Sequence, residues 1–498
     1  MKRASGVLMP IFSLDSGYGI GDFGKCSYNF IDSLKKSGQT VWQILPLVQI
    51  GYGNSPYSSV CSTSINPYFI SPELLKKDGL LTCAETKFVK VNNSRVDYAE
   101  LYSVRFPMLE RAFSRFDKNN PEFQSYVKSK ESYDYALFMT LKYASGQKHF
   151  YEWEECYKFR DKNALKKFSK DYSDKILFWQ FVQYIAKKQW LAVKKYANDN
   201  GIKIMGDIPL YVALDSVDVW KNPKLYKLDE NLIPKKVAGV PPDYFCADGQ
   251  LWGNPVYDYA EHQKEDFSWW VKRIKNALKI YDLVRIDHFR GLDRYYEIDK
   301  GQTTARLGQW VDVPSDELFY NINKKVKNGS IIAEDLGIID DGVKNLLTKT
   351  GFPGMKILSF AFNGDKNNLY LPEKLPKNCV CYTGTHDNDT LKGLIQGFND
   401  WDYTNFICGL KNSLNHLNID ADLDSVDDII EAVIECGMKS KANLFIVPLQ
   451  DLLKYSKVYR INTPGSVDNC NWSIKFSKEE IKKALSVKLR QLTIKYKR

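Results

Sequence analysis

The chain has 498 residues, 44% hydrophobic and 26% charged, the composition of a globular protein with a large core rather than of a disordered one. Its net charge of +10 points to no nucleic-acid partner once it is located: residues 475–498 carry nine Lys and Arg against Glu479 and Glu480, which leaves +3 for everything else. No window approaches about 18 uninterrupted apolar residues, so no membrane-spanning helix is expected.

At the N-terminus the apolar run is short, is broken by Pro10 and is followed by Ser13 and Asp15. It is too interrupted for a secretion signal, and a cytoplasmic protein is expected. Ten cysteines without a paired spacing read as reduced thiols, with Cys379 and Cys381 as small core residues of one strand. Five histidines form no metal-ligand pattern, so no metal is expected.

Eight apolar, β-rich runs punctuate the chain, at 6–12, 41–47, 202–212, 283–287, 330–334, 355–362, 379–383 and 442–447. Helical patterns lie between them. Before the third run, Phe178, Phe181, Val182, Ile185, Leu191 and Val193 approximate a 3.6-residue period. Strands alternating with helices predict one α/β unit over residues 1–498, an eight-stranded (β/α)8 barrel. The uneven gaps predict a mainly helical insertion at 60–200 and a second insertion at 213–282 with a loop that covers the substrate. At the C-terminal end, Ser477 and Glu480 form a capping-box pattern, with Ile481, Leu485, Leu489 and Leu492 on one face of a single terminal helix.

Three of the runs end in acids: Leu-Val-Arg-Ile-Asp287, Ile-Ile-Ala-Glu334 and Thr-Gly-Thr-His-Asp387. A carboxylate at a strand end packs poorly, and three at one barrel mouth suggest retaining chemistry on a glycosidic bond. Arg285 shares a strand face with Asp287 and favours the ionised form that a nucleophile needs. Glu334, or its neighbour Asp335, is the candidate acid/base, because partial burial raises a carboxyl pKa. His386 and Asp387 are placed to hold sugar hydroxyls and to stabilise an oxocarbenium-like state. Asp207 ends another run. Gln250, Trp252 and Asn254 lie in a loop whose aromatic faces suit pyranose rings, and Tyr52 and Tyr57 lie on a further loop at the mouth.

These segments, together with Val-Ala-Gly-Val-Pro-Pro-Asp-Tyr-Phe245 and Gly-Gln-Leu-Trp-Gly-Asn-Pro255, run in order along nearly the whole chain. They resemble the 4-α-glucanotransferases, the amylomaltase or disproportionating-enzyme family, glycoside hydrolase family 77 of the α-amylase clan. The resemblance implies Asp287 as nucleophile, Glu334 as acid/base and Asp387 as transition-state stabiliser. It implies Tyr57, Asp207, Phe245, Gln250, Trp252, Asn254, Arg285, His288, His386 and Asn462 as substrate-binding residues, with Tyr52 at a secondary glucan groove. Two places depart from the family pattern. Asn54 stands where the family usually has Asp, and Ile474-Lys475 where Trp and Arg are common.

The expected reaction moves an α-1,4-glucan segment to the 4-hydroxyl of another glucan or of glucose, without a cofactor. Maltooligosaccharides and starch- or glycogen-derived glucans are the expected partners. The rivals are an α-glucan hydrolase of the same clan and a catalytically silent glucan-binding barrel.

Overall fold

A computed structural model describes residues 2–51, 53–88, 94–242, 247–326, 329–337, 339–466 and 468–498. In chain order its strands are β1 (Ala4–Leu8), β2 (Val41–Gln43), β3 (Lys203–Ile208), β4 (Lys236–Val240), β5 (Gln250–Pro255), β6 (Leu283–Ile286), β7 (Arg294–Asp299), β8 (Gly308–Asp312), β9 (Ile331–Ala333), β10 (Gly354–Ile357), β11 (Cys379–Tyr382) and β12 (Leu444–Pro448). Eight of them form one parallel sheet in the order β10-β11-β12-β1-β2-β3-β6-β9. These eight coincide with the eight predicted runs. Their residues are almost continuously buried, as strands covered on both faces must be.

The barrel closes between β9 and β10, where the pairing is sparse and a side chain completes it. Ala333 N donates to Pro353 O at 2.9 Å. Just beyond, buried Asp335 accepts from Met355 N at 2.5 Å and from Lys356 Nζ at 3.1 Å. Asp335 is thus turned to the seam, which separates its work from that of Glu334 next door. On the outer wall Gly206 leaves room for the Tyr281 ring, which any Cβ there would strike; the Tyr281 hydroxyl in turn accepts from Leu47 N at 3.1 Å.

Between β2 and β3 the chain is mainly helical, including Tyr98–Arg115, Lys130–Ala144 and Ser173–Asp199. The last helix buries Phe178, Phe181, Val182, Ile185 and Val193, but Leu191 is exposed. Trp190 takes the buried position there, and the next residue, about 100° further round, points outward.

Two sequence expectations are corrected. Residues 250–255 are not a loop: they form β5, an edge strand of an antiparallel sheet ordered β5-β4-β7-β8. Its glycine and proline content resembles a loop, and being largely exposed it shows no apolar alternation. The terminal helix is two helices, Lys478–Ala484 and Val487–Lys495. The capping box of Ser477 and Glu480 forms, but Leu485 leaves helical geometry at ψ 56° and Ser486 starts the second helix. Among the described residues no helix is long and apolar enough to cross a membrane.

If Asp335 closes the seam, Asp335→Ala leaves the buried Met355 N–H without its acceptor and the Lys356 ammonium without its counter-ion. Stability is expected to fall by about 2–3 kcal/mol, measured as a lower denaturant midpoint.

Candidate active site

β3 and β6 pair in register so that Asp207 lies opposite Arg285. The Arg285 guanidinium spans two carboxylates: Nη1 donates to Asp207 Oδ2 at 2.5 Å and Nη2 to Asp287 Oδ1 at 2.7 Å. Asp207 also accepts from the Tyr57 hydroxyl at 2.6 Å through the same oxygen, while its buried Oδ1 has no hydrogen-bond partner among the described residues. The side chains of Asp207 and Arg285 are 0% and 4% exposed, and that of Asp287 is 27% exposed. Of the two carboxylates on this cation, Asp287 is the one open to a reactant.

Glu334, just past β9, is tied to the end of β6. Its N–H donates to Ile286 O at 3.0 Å, and its carboxyl accepts from His288 N at 2.7 Å and Leu336 N at 2.8 Å. His288 meets this carboxyl because its backbone leaves the strand at φ 50°, so strand alternation ends at Asp287. The Glu334 pKa is raised to about 8, first by burial and further by the Asp287 charge, against the opposing effect of Arg285 and the two N–H donors. His288 itself is lowered to about 4, first by burial and further by Arg290, so its ring is neutral near pH 7.

Asp387, after β11, goes the other way. Burial works to raise its pKa, but His386, Asn462 and Arg285 outweigh it and hold Asp387 near 2. His386 Nε2 lies 3.2 Å from Asp387 Oδ2, and Asn462 Nδ2 donates to Oδ1 at 2.6 Å. The His386 ring stacks on Tyr57 with centroids 5.2 Å apart and planes 9° apart.

The outer sheet supplies the rim. The Trp252 ring stands edge-on to His288 at 4.8 Å, and its Nε1 donates to Gln250 Oε1 at 3.1 Å. Asn254 uses its amide on Val212 O at 2.9 Å, tying β5 to the segment that follows β3. Tyr52 and Phe245 lie outside the described residues.

Three further residues belong to this cluster and were not singled out from the sequence. Arg460 Nη2 donates to Asp387 O at 2.5 Å, and Trp472, at φ 58°, packs 5.8 Å from Tyr57 and 5.9 Å from His386. Asn388 accepts from Thr385 N and Oγ1 at 2.8 and 2.9 Å, which shapes the turn that carries Asp387. Only the polar density of 383–390 hinted at Asn388. Arg460 and Trp472 come from a distant segment with no local signal.

A parallel barrel whose strand ends gather Asp207, Arg285, Asp287, Glu334 and Asp387 into one polar cluster has the layout of a (β/α)8 enzyme. The family model for 4-alpha-glucanotransferase, glycoside hydrolase family 77, matches residues 9–481. A 4-alpha-glucanotransferase of Clostridium butyricum is 40% identical over 98% of this chain and 100% of its own length. One from Streptococcus pneumoniae is 39% identical over 100% of this chain and 98% of its own. Among solved structures, the amylomaltase of Streptococcus agalactiae in complex with acarbose superposes with a TM-score of 0.93 at 37% identity, over 100% of both chains. The chain belongs to the 4-alpha-glucanotransferase family, and it is a transglycosylase.

Arg285→Lys cannot serve Asp207 and Asp287 at once. Transfer between glucans is expected to drop by about 100-fold, read as kcat/KM on maltotriose.

Proposed function

We propose that Asp287 is the nucleophile, Glu334 the acid/base and Asp387 the electrostatic stabiliser of a retaining disproportionation of α-1,4-glucans. The observation that carries this reading is the divergence of two carboxyl groups in one cluster, buried Glu334 at about 8 and half-exposed Asp387, paired with His386 and Asn462, at about 2. One holds a proton to give near neutral pH, and the other stays charged.

In the first half, an Asp287 oxygen attacks the anomeric carbon while the bond from that carbon to the leaving oxygen breaks. The proton of Glu334 passes to the leaving oxygen, and the product is a β-linked glycosyl ester. In the second half, the 4-hydroxyl of an acceptor gives its proton to Glu334 as its oxygen attacks the same carbon, and Asp287 departs as a carboxylate. Two inversions restore the α-linkage. The substrates proposed are maltooligosaccharides and longer glucans from starch or glycogen. The acarbose complex of the Streptococcus agalactiae amylomaltase supports a sugar ligand in such a cleft. A cytoplasmic setting is part of the same reading, supported by the free thiols of all nine described cysteines.

Maltotriose alone is expected to yield glucose and longer maltooligosaccharides with no net rise in reducing ends. A steady rise in reducing ends means hydrolysis instead, and an unchanged sugar profile means a binding protein. Asp287→Asn is expected to abolish the redistribution, and Glu334→Gln to slow it by about 10²–10⁴-fold.

The pH dependence has a definite sign. Glu334 must be protonated for the first half, so kcat/KM is expected to fall as pH rises through about 8. The same shift bears on stability. With its folded pKa above the ordinary 4.5, Glu334 keeps a proton that the unfolded chain loses, so its contribution declines as pH rises through that window. Glu334→Gln is therefore expected to unfold at higher denaturant than the parent at pH 9 and to lose that advantage at pH 4.

A further inference from the structure

Around the barrel the order β6-β9-β10 places Asp287, then Glu334, then the segment that follows β10. That segment, residues 361–376, is irregular but built. Asn368 Nδ2 donates to Phe360 O at 2.7 Å and Ala361 O at 3.0 Å, while its Oδ1 accepts from Tyr370 N at 2.8 Å. The Tyr370 ring meets Phe360 edge-on at 5.9 Å and has Lys356 Nζ at 5.5 Å, the ammonium that also bonds Asp335.

Tyr370 is half-buried, and its hydroxyl has no hydrogen-bond partner among the described residues. Its pKa is raised to about 12, first by burial and then by the charges of Asp335 and Glu334. Held by Asn368, Phe360 and Lys356, Tyr370 follows β10, the next strand after the one that carries Glu334 and on the opposite side from β6 and Asp287. Trp252 packs on His288, whose N–H bonds the Glu334 carboxyl.

We propose that Tyr370 is an acceptor-binding residue. It holds the glucose unit whose 4-oxygen takes the proton of Glu334 as its bond to the anomeric carbon breaks and gives a proton back on attack, and so biases the glycosyl-enzyme towards a sugar hydroxyl and away from water. The inference rests on the reaction proposed above. An apolar ring excludes water and packs on a pyranose face, while the free hydroxyl accepts or donates one hydrogen bond to the sugar. The exposed Leu369 beside it extends the apolar rim.

α-Maltosyl fluoride separates the halves, because its leaving group is fluoride and needs no sugar subsite. With glucose as acceptor, Tyr370→Ala is expected to raise the acceptor KM roughly five- to ten-fold and to enlarge the hydrolysed fraction, while the initial burst of fluoride stays unchanged. Tyr370→Phe, which keeps the ring, is expected to fall between Tyr370→Ala and the parent. An unchanged acceptor KM and unchanged hydrolysis in Tyr370→Ala would overturn the proposal. So would equal losses in fluoride release and transfer, which mark a purely structural role. If the parent enzyme itself gives no fluoride burst and no redistribution of maltotriose, the reaction assigned above fails first and takes this inference with it.

Discussion

One buried guanidinium organises this barrel mouth. Arg285 lies on β6 between an acid on the neighbouring strand and an acid at its own strand end, and both contacts follow from register: Asp207 is its cross-strand partner and Asp287 lies two residues on. Three charges removed from water are costly unless each is matched, and one cation facing two anions leaves a net negative charge in the cluster. That imbalance is felt by the next acid round the barrel, because the charge on Asp287 is among the causes that lift Glu334. Tyr57 shares the Asp207 oxygen, and its ring carries His386, so the same network reaches the far side of the mouth.

The barrel was legible because its eight strands are buried on both faces and stand out as apolar runs. The outer sheet was not. β5 is an exposed edge containing Gly253, Asn254 and Pro255, and its pairing with β4 shifts register between Val237 and Gly239, so neither alternation nor composition marks a strand. Leu485 shows a similar limit. An apolar residue in phase with its neighbours is compatible with one helix or with two, and only backbone geometry separates them.

Within the site, residues at strand ends could be read from their own surroundings, whereas those that act through a second segment could not, Asn462 being reached only through the family resemblance. Glu334 and Asp335 are adjacent acids after the same run, and composition offers no means to divide their labour. The division comes from β10, whose N–H and Lys356 engage Asp335 and leave Glu334 to the His288 turn. Asp387 is held low partly by Asn462, with Arg460 on its backbone, both more than 70 residues further along the chain. No local pattern predicts such a strap.

The electrostatics also carry the change of role that the proposed reaction asks of Glu334. While Asp287 is a free carboxylate, its charge helps to keep Glu334 protonated, and the acid can serve the departing sugar. Once Asp287 is esterified that charge is gone, whereas Arg285 and the N–H groups of His288 and Leu336 remain, and each of these favours the ionised form of Glu334. The covalent step thereby lowers the proton affinity of the group that has just given up its proton. It becomes the better base when an acceptor hydroxyl arrives. The switch rests on the removal of one charge, which leaves Arg285 and the N–H donors to favour the ionised form.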